Sequence, residues 1–158
     1  MSTVWKPNVT VAAIVERNGR FLLVEEETPD GIRLNQPAGH LDPGETLIDA
    51  VVRETLEETA RHFVPKDLLG VYMTRSEASA ERERITYVRF AFAGSAGEAE
   101  PDRPLDAGIL RTLWLDVDEI RARAALHRSP LVMKCIDDHL AGQRFPLAVL
   151  HAHPSVLA

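Results

Sequence analysis

The stretch GHLDPGETLIDAVVRETLEETAR, residues 39–61, decides the fold of this chain. It opens with the turn residues Asp42-Pro43-Gly44, which favour a tight bend. From Glu45 to His62 the chain contains neither glycine nor proline, and its apolar residues recur at helical spacing. The stretch therefore predicts a loop that leads into an α-helix.

The predicted helix carries acidic residues on one side. Glu54, Glu57 and Glu58 stand at positions i, i+3 and i+4, so their side chains project from neighbouring points on the helix surface. We expect this acidic face to look outward. The opposite side is expected to dock on the protein through the apolar residues Ile48, Val52, Leu56 and Phe63.

Three carboxylates at this spacing repel one another, and two interpretations follow. On spacing alone, the glutamates form an ordinary solvated helix surface with Arg53 and Arg61 as partners. Alternatively, a divalent cation removes the repulsion. Oxygen ligands favour a hard ion such as Mg²⁺, or Mn²⁺ as its substitute, over zinc.

The rest of the chain predicts strands before and after this helix. Val9–Val15 and Phe21–Val24, joined by Asn18-Gly19, are typical of a β-hairpin, and a polar loop is expected from Glu25 to Arg33. Later strands are predicted at Leu68–Thr74, Ile85–Ala93 and Ile109–Leu115. Later helices are predicted at Val117–Ala125 and Ser129–Leu140, the second with Ser129 as N-cap and Pro130 at the first helical position. This order predicts an α/β sandwich with a mixed sheet.

Composition and charge exclude several classes of protein. The 158 residues are 45% hydrophobic and 27% charged, as is typical of one soluble globular domain. The net charge of −6 argues against a protein that binds nucleic-acid polymers or membrane surfaces, and an anionic substrate would need a cation as intermediary. Met1–Pro7 lacks a signal peptide's basic region, and the single cysteine, Cys135, fits a reducing compartment, so we expect a cytoplasmic protein.

Residues 39–61 resemble the signature of the Nudix hydrolases through Gly39, Glu45 and the run Arg53-Glu54-Thr55-Leu56-Glu57-Glu58. The resemblance implies a Nudix-type α/β/α sandwich with a mixed sheet and a central catalytic helix, built as a single domain from residues 1–158. It also implies an enzyme that hydrolyses the phosphoanhydride bond of a small phosphorylated metabolite with Mg²⁺. Both a monomer and a homodimer are compatible with the sequence.

The same resemblance implies a role for each matching residue. Glu54, Glu57 and Glu58 are the implied metal ligands, together with the backbone carbonyl of Gly39. Arg53 belongs to the implied catalytic set, and its pairing with Glu45 is expected to support the ligands. Either Glu57 or Glu58 serves as the general base, since coupled carboxylates titrate as a group.

Three residues depart from the signature. Thr55 and Arg61 stand where an aliphatic residue is usual, and Ala60 replaces a glycine. Because a left-handed helix terminus is favourable chiefly for glycine, we expect the helix to continue through Arg61 and His62.

Substrate contacts are predicted from residues near the signature. Arg33 and His40 flank the segment Gln36–Gly39 and are candidates to bind phosphate oxygens. The resemblance implies that Asp106 is an auxiliary carboxylate of the site; the alternative is a solvated turn residue, and we favour the alternative. Residues 75–84 are interpreted as a lid over the site or as an exposed connection.

Further motifs resemble the NudJ-type phosphatase subgroup of the same family; they are Lys6–Val11, Asn35–Leu41, Arg128–Val132 and Gly142–Leu147. The subgroup implies release of orthophosphate from a nucleoside di- or triphosphate or from a thiamine-related pyrimidine diphosphate. One alternative is a hydrolase of dinucleoside polyphosphates or nucleotide sugars. Another is a non-catalytic Nudix fold that senses a nucleotide.

Overall fold

The computed structural model describes residues 3–158, which form seven strands and three α-helices. The strands are β1 (Asn8–Arg17), β2 (Arg20–Thr28), β3 (Gly31–Asn35), β4 (Ala38–His40), β5 (Phe63–Arg75), β6 (Thr86–Ala96) and β7 (Ile109–Asp116). The helices are α1 (Leu47–Thr59), α2 (Val117–Ala122) and α3 (Leu131–Leu140).

The sheet is mixed, as the sequence predicts. β1 pairs in parallel with β6 and antiparallel with β4, while β5 pairs antiparallel with β6. β2 is antiparallel to β3 and β7, and its first residues pair with the end of β1. The short strand β4 therefore lies beside β1, immediately before the loop that leads into α1.

Alternate side chains of β1 enter different halves of the core, because side chains alternate between the two faces of a strand. Val11 packs in one cluster with Val51 of α1. Ile14 packs in a second cluster with Ile120 of α2 and Ile136 of α3. Helices thus cover both faces of the sheet, which confirms the predicted α/β sandwich.

The buried face of α1 is rotated from the predicted one. Its fully buried residues are Ala50, Val51, Thr55, Glu58 and Thr59. Of the four apolar residues expected to dock the helix, Phe63 is buried, whereas Ile48, Val52 and Leu56 are only half-buried. Ile48 and Val52 still pack against the core cluster that contains Val51. Short side chains at the contact let the helix approach β1 and β4 closely, so Glu58 points inward. The expectation that the whole acidic face looks outward is wrong for Glu58.

The predicted extension of α1 through Arg61 and His62 is also wrong. The helix ends at Thr59, and Ala60 adopts a left-handed conformation with φ 60°. The Ala60 amide donates to Leu56 O, and the Arg61 amide donates to Thr59 Oγ1. Helix closure and burial of Ala60 offset the strain of a non-glycine residue in this conformation, which is about 1–2 kcal/mol.

Two further elements differ from the prediction. The segment expected to be a polar loop, Glu25–Arg33, lies mostly in a hairpin, because Glu25–Thr28 of β2 pair with Gly31–Leu34 of β3. Helix α3 begins at Leu131 with Pro130 as its N-cap, although Ser129 Oγ still accepts from the Leu131 amide. Within residues 3–158, no helix has the length and apolar character needed to cross a membrane.

Candidate active site

The loop between β4 and α1 fixes where the acidic helix begins. Thr46 caps α1: its hydroxyl accepts from the Asp49 amide, and the Asp49 carboxylate accepts from the Thr46 amide. This reciprocal pair satisfies two amide groups that helical hydrogen bonding leaves free. The cap sets the helix so that its glutamates face the end of β4.

Arg53 lies at the centre of the acidic residues. Its Nε and Nη2 donate to the two carboxylate oxygens of Glu45 at 2.9 and 2.7 Å, which is the predicted ion pair. Its Nη1 donates to Glu54 at 2.9 Å and to Glu57 at 3.1 Å. Nη2 also donates to the backbone oxygen of His40 at 3.0 Å. These hydrogen bonds lower the pKa of Glu45 and raise that of Arg53, so both groups carry charge.

Gly39 makes room for one of the carboxylates. A β-carbon added at residue 39 would lie 2.1 Å from Glu54 Cδ and 2.3 Å from each of its carboxylate oxygens. The missing side chain therefore lets the Glu54 carboxylate lie against the backbone of β4. Here glycine is required by close approach to Glu54, since the φ of Gly39 is not positive.

Three carboxylates converge beside this contact. Oxygens of Glu54, Glu57 and Asp106 all lie within 4.8 Å of one another. The Asp106 backbone amide donates to Glu57 O at 2.9 Å, which anchors the connection between β6 and β7 to α1. Burial raises the pKa of Glu54, and the neighbouring Glu57 and Asp106 raise it further, although Arg53 opposes the shift. Asp106 is thus placed beside the acidic residues of α1.

Glu58 occupies a different place from Glu54 and Glu57. Its side chain is buried, and Oε1 accepts from the Ala38 amide at 3.0 Å. Consecutive helix residues are about 100° apart around the axis, so Glu58 is turned towards the Ala38 amide while Glu57 is turned towards Asp106. Burial raises the pKa of Glu58 to about 9, against the opposing hydrogen bond from Ala38.

In the part of the chain that the structure describes, the side chains of the two candidate phosphate-binding residues, Arg33 and His40, form no observed hydrogen bond with the carboxylates of the cluster. Arg33 donates to the backbone oxygen of Ile32 on the β2–β3 hairpin, and none of its observed hydrogen bonds reaches the carboxylates. The exposed His40 ring lies 6.2 Å from the Tyr87 ring, while its backbone oxygen accepts from Arg53. Residues 75–84 are interpreted from the sequence as a lid or an exposed connection. Arg82 of this segment forms an ion pair with Asp30, at the tip of the β2–β3 hairpin.

Glu26 was not singled out from the sequence. It lies on β2, with Oε1 3.9 Å from Arg128 Nε. Burial raises its pKa, against Arg128, the Asn35 side chain and Arg89, and the charge of Glu26 helps to raise the pKa of Glu58. In the sequence it is the middle of three consecutive glutamates, and such a run usually forms a solvated surface. Only the pairing of β2 with β3 and β7 brings it close to α1.

A family model, described as the NUDIX domain, matches residues 5–135. The chain belongs to the Nudix family. Curated Nudix relatives named Phosphatase NudJ, from Escherichia coli K12 and Shigella sonnei, are each 36% identical to this chain over 146 residues. These alignments cover 92% of this chain and 92% of each relative.

Solved Nudix structures show the same fold. A NUDIX hydrolase from Nitrosomonas europaea is 51% identical, with a TM-score of 0.86 over 94% of this chain and 98% of that one. A second NUDIX hydrolase from the same organism, 22% identical with a TM-score of 0.70 over 90% and 77% of the two chains, shares the fold. Family membership makes this chain a Nudix hydrolase that acts on acid anhydrides in phosphorus-containing compounds. Nudix hydrolases generally use divalent metals, and this chain has the acidic cluster.

Proposed function

We propose that this Nudix hydrolase is a Mg²⁺-dependent phosphatase that releases orthophosphate from a nucleoside di- or triphosphate or from a thiamine-related pyrimidine diphosphate. The observation that carries the proposal is the convergence of Glu54, Glu57 and Asp106 beside the guanidinium of Arg53. Similarity to the relatives named Phosphatase NudJ supports the phosphatase class.

The chemistry of the donors fits Mg²⁺. All three side chains of the cluster offer carboxylate oxygens, the ligand type that hard divalent cations prefer, and neither cysteine nor histidine belongs to the cluster. Burial and mutual repulsion raise the pKa of Glu54, and a bound cation would relieve both effects. Mn²⁺ has the same preference for oxygen and is the proposed substitute.

We assign the proposed ligands to one face of α1 and to the chain beside it. Glu54, Glu57 and Asp106 hold the cation, with the Gly39 carbonyl and Glu58 completing the set. Only Oε1 of Glu58 is engaged by the Ala38 amide, which leaves Oε2 for this role. When bound, Mg²⁺ supplies positive charge that neutralises phosphate oxygens and lowers the pKa of a nearby water.

The chain's own residues position the reacting groups and move a proton. Water oxygen attacks phosphorus, its proton passes to a carboxylate of Glu57 or Glu58, and the bridging P–O bond breaks with its electron pair on the leaving oxygen. Arg53 orients Glu54 and Glu57 through Nη1, while Glu45 holds the other edge of the guanidinium. Arg33 and His40 remain proposed contacts of the substrate.

The decisive experiment is a Mg²⁺-dependent screen in which orthophosphate and pyrophosphate are assayed separately. The panel holds nucleoside di- and triphosphates, thiamine-related diphosphates, dinucleoside polyphosphates and nucleotide sugars. Orthophosphate release from the first two classes supports the proposal, and label from oxygen-18 water should appear only in phosphate or a phosphoryl product. Turnover only of dinucleoside polyphosphates or nucleotide sugars would assign the alternative hydrolase. Nucleotide binding without turnover would assign a sensor, and full turnover after exhaustive chelation would exclude the metal.

We also propose that residues 1–158 act as one domain in the cytoplasm, as a monomer or a homodimer, without a membrane or nucleic-acid polymer as partner. The net charge of −6 supports the last part, because both of those partners are polyanionic. Sedimentation of the purified protein, with and without a DNA fragment, tests the oligomeric state and the absence of nucleic-acid binding.

A further inference from the structure

The segment Asn35–His40 supports the carboxylates of α1 at three points. The Ala38 amide donates to Glu58, and the backbone of Gly39 lies against Glu54. The backbone oxygen of His40 accepts from Arg53. Strand β3 ends at Asn35, the Ala13 amide donates to Pro37 O, and β4 contains the last three residues, so the backbone of the segment is held at both ends and side-chain contacts add to this between the strands.

One buried arginine contacts the side chains of both Asn35 and Gln36. Arg89, on β6, is 6% exposed. Its Nη2 donates to Asn35 Oδ1 and its Nη1 to Gln36 Oε1, both at 2.9 Å. Nη1 also lies 3.9 Å from the sulfur of Cys135. Among residues 3–158, no carboxylate forms an ion pair with this guanidinium, so a buried cation is held by two neutral amides.

The guanidinium also fixes how both amides are turned. Because arginine has only donors, each amide must present its oxygen to Arg89 and direct its NH₂ group elsewhere. The NH₂ group of Gln36 donates to the Val132 backbone oxygen of α3 at 2.8 Å. The side chain of Asn35 interacts with the Glu26 carboxylate and lowers its pKa, which opposes the effect of burial. Arg89 therefore joins the start of the segment to α3 and to Glu26.

Burial of the charged Arg89 guanidinium is unfavourable for stability. Desolvating a charge is unfavourable, and a well-packed apolar side chain often serves stability equally well. What an apolar residue cannot do is hold two amide oxygens in a fixed geometry. The function of Arg89 therefore lies in the placement of Asn35 and Gln36.

We propose that Arg89 is a positioning residue for phosphoanhydride hydrolysis, which holds the segment Asn35–His40 so that its backbone keeps Glu54 and Glu58 in place. The inference rests on the proposed function for its main readout, turnover of a phosphoanhydride. Arg89 acts through this segment, and no contact with the substrate is assigned to it.

The test compares Arg89→Lys and Asn35→Ala with Cys135→Ala. Lysine keeps the charge but lacks the planar fork that binds two oxygens at once. Asn35→Ala removes one acceptor and leaves Arg89 in place, which covers the case in which the lysine variant does not fold. Cys135→Ala is the matched control, because it disturbs the buried neighbourhood of Arg89 without touching the segment.

For each protein we would measure kcat and KM on the best substrate of the screen, the melting temperature, and Mn²⁺ binding by calorimetry. We expect kcat of both test variants to fall by about 10–100-fold, the usual loss for residues that orient metal ligands. In the two test variants, KM should change by less than about threefold and Mn²⁺ binding should weaken. In Cys135→Ala, kcat should stay within about twofold of the wild-type value even if its melting temperature falls as much as that of the test variants.

Two outcomes would overturn the inference. If the folded variants keep wild-type kcat and Mn²⁺ affinity while melting earlier, Arg89 serves stability alone. If Cys135→Ala loses as much kcat as the test variants, the effect is a general response to core damage. A wild-type protein that turns over no phosphoanhydride contradicts the proposed function instead, and Mn²⁺ binding then still tests the placement of the carboxylates.

Discussion

The backbone of Gly39 and the carboxylate of Glu54 lie too close together for any side chain to fit between them: an added β-carbon would stand 2.1 Å from Glu54 Cδ. Gly39→Ala must therefore displace Glu54 or β4. We expect turnover to fall by about a hundredfold, the scale for misplacing a reacting group by an ångström. Steady-state kinetics of the folded variant would measure this.

Gly97→Ala is the matched control for this substitution. Gly97 lies after β6, has no positive φ, and has no heavy atom within 4 Å of the position that a β-carbon would take. Its turnover should stay at the wild-type level. Wild-type turnover of Gly39→Ala as well would mean that the position of Glu54 is unimportant.

Arg53→Lys should lower both stability and activity. Arginine binds both oxygens of Glu45 through Nε and Nη2 and contacts Glu54 and Glu57 through Nη1. Lysine has a single ammonium group and cannot make these contacts at the same time. The loss of half-buried, charge-assisted hydrogen bonds predicts a decrease of about 1.5–3 kcal/mol in the free energy of unfolding, measured with urea. Arg103→Lys, in an exposed pair with Glu100, is the control and should leave the free energy of unfolding close to the wild-type value. Equal effects of the two substitutions would rule out a special role for Arg53.

Glu57→Gln and Asp106→Asn should each lower turnover by at least about a hundredfold without unfolding the protein. Each change keeps the side-chain volume but removes one charge from the cluster, so Mg²⁺ dependence should shift to higher concentration. The controls are Glu25→Gln, outside the signature, and Asp102→Asn, in the same connection as Asp106. If Glu57→Gln retains wild-type turnover, the glutamates of α1 form only a solvated acidic surface. If Asp106→Asn retains it and Glu57→Gln does not, Asp106 is only a turn residue.

Glu58→Gln should change how the stability of the metal-free protein depends on pH, because Glu58 is a buried acid. Burial raises the pKa of Glu58 to about 9 from its usual 4.5, so the folded protein binds this proton more tightly than the unfolded chain. Its contribution to stability is complete below pH 4.5 and is lost as the pH rises towards 9. Glutamine keeps an oxygen for the Ala38 amide but cannot ionise.

The measurement is melting temperature between pH 5 and 9 with chelator present, for wild type and Glu58→Gln. The variant should match the wild type near pH 5 and melt higher at alkaline pH, while its turnover falls by at least about a hundredfold. Burial also raises the pKa of Glu26 and Glu54, so only the difference between the two proteins reports on Glu58. A difference that does not change with pH would contradict the raised pKa.

The sequence alone determined the fold class and the residues of the signature. Local rules were sufficient for this, because the absence of glycine and proline after Gly44 specifies a helix and β-branched runs specify strands. The ion pair of Arg53 with Glu45 was also predictable. Both residues lie in one short stretch, so their distance depends little on the rest of the fold.

Tertiary structure decided what local rules leave open. Asp106 comes within reach of Glu54 and Glu57 only because the β6–β7 connection is anchored to α1. Contacts between α1 and β4 also decided that Glu58 is buried, since helical spacing fixes relative angles but not which side faces the sheet. Likewise, the sequence around Arg89 predicts only an ordinary polar residue of a strand. The contact of its guanidinium with the Asn35 and Gln36 amides arises from the tertiary arrangement of β6 and the segment before β4. Such contacts join residues far apart in the chain, so they depend on how whole elements pack.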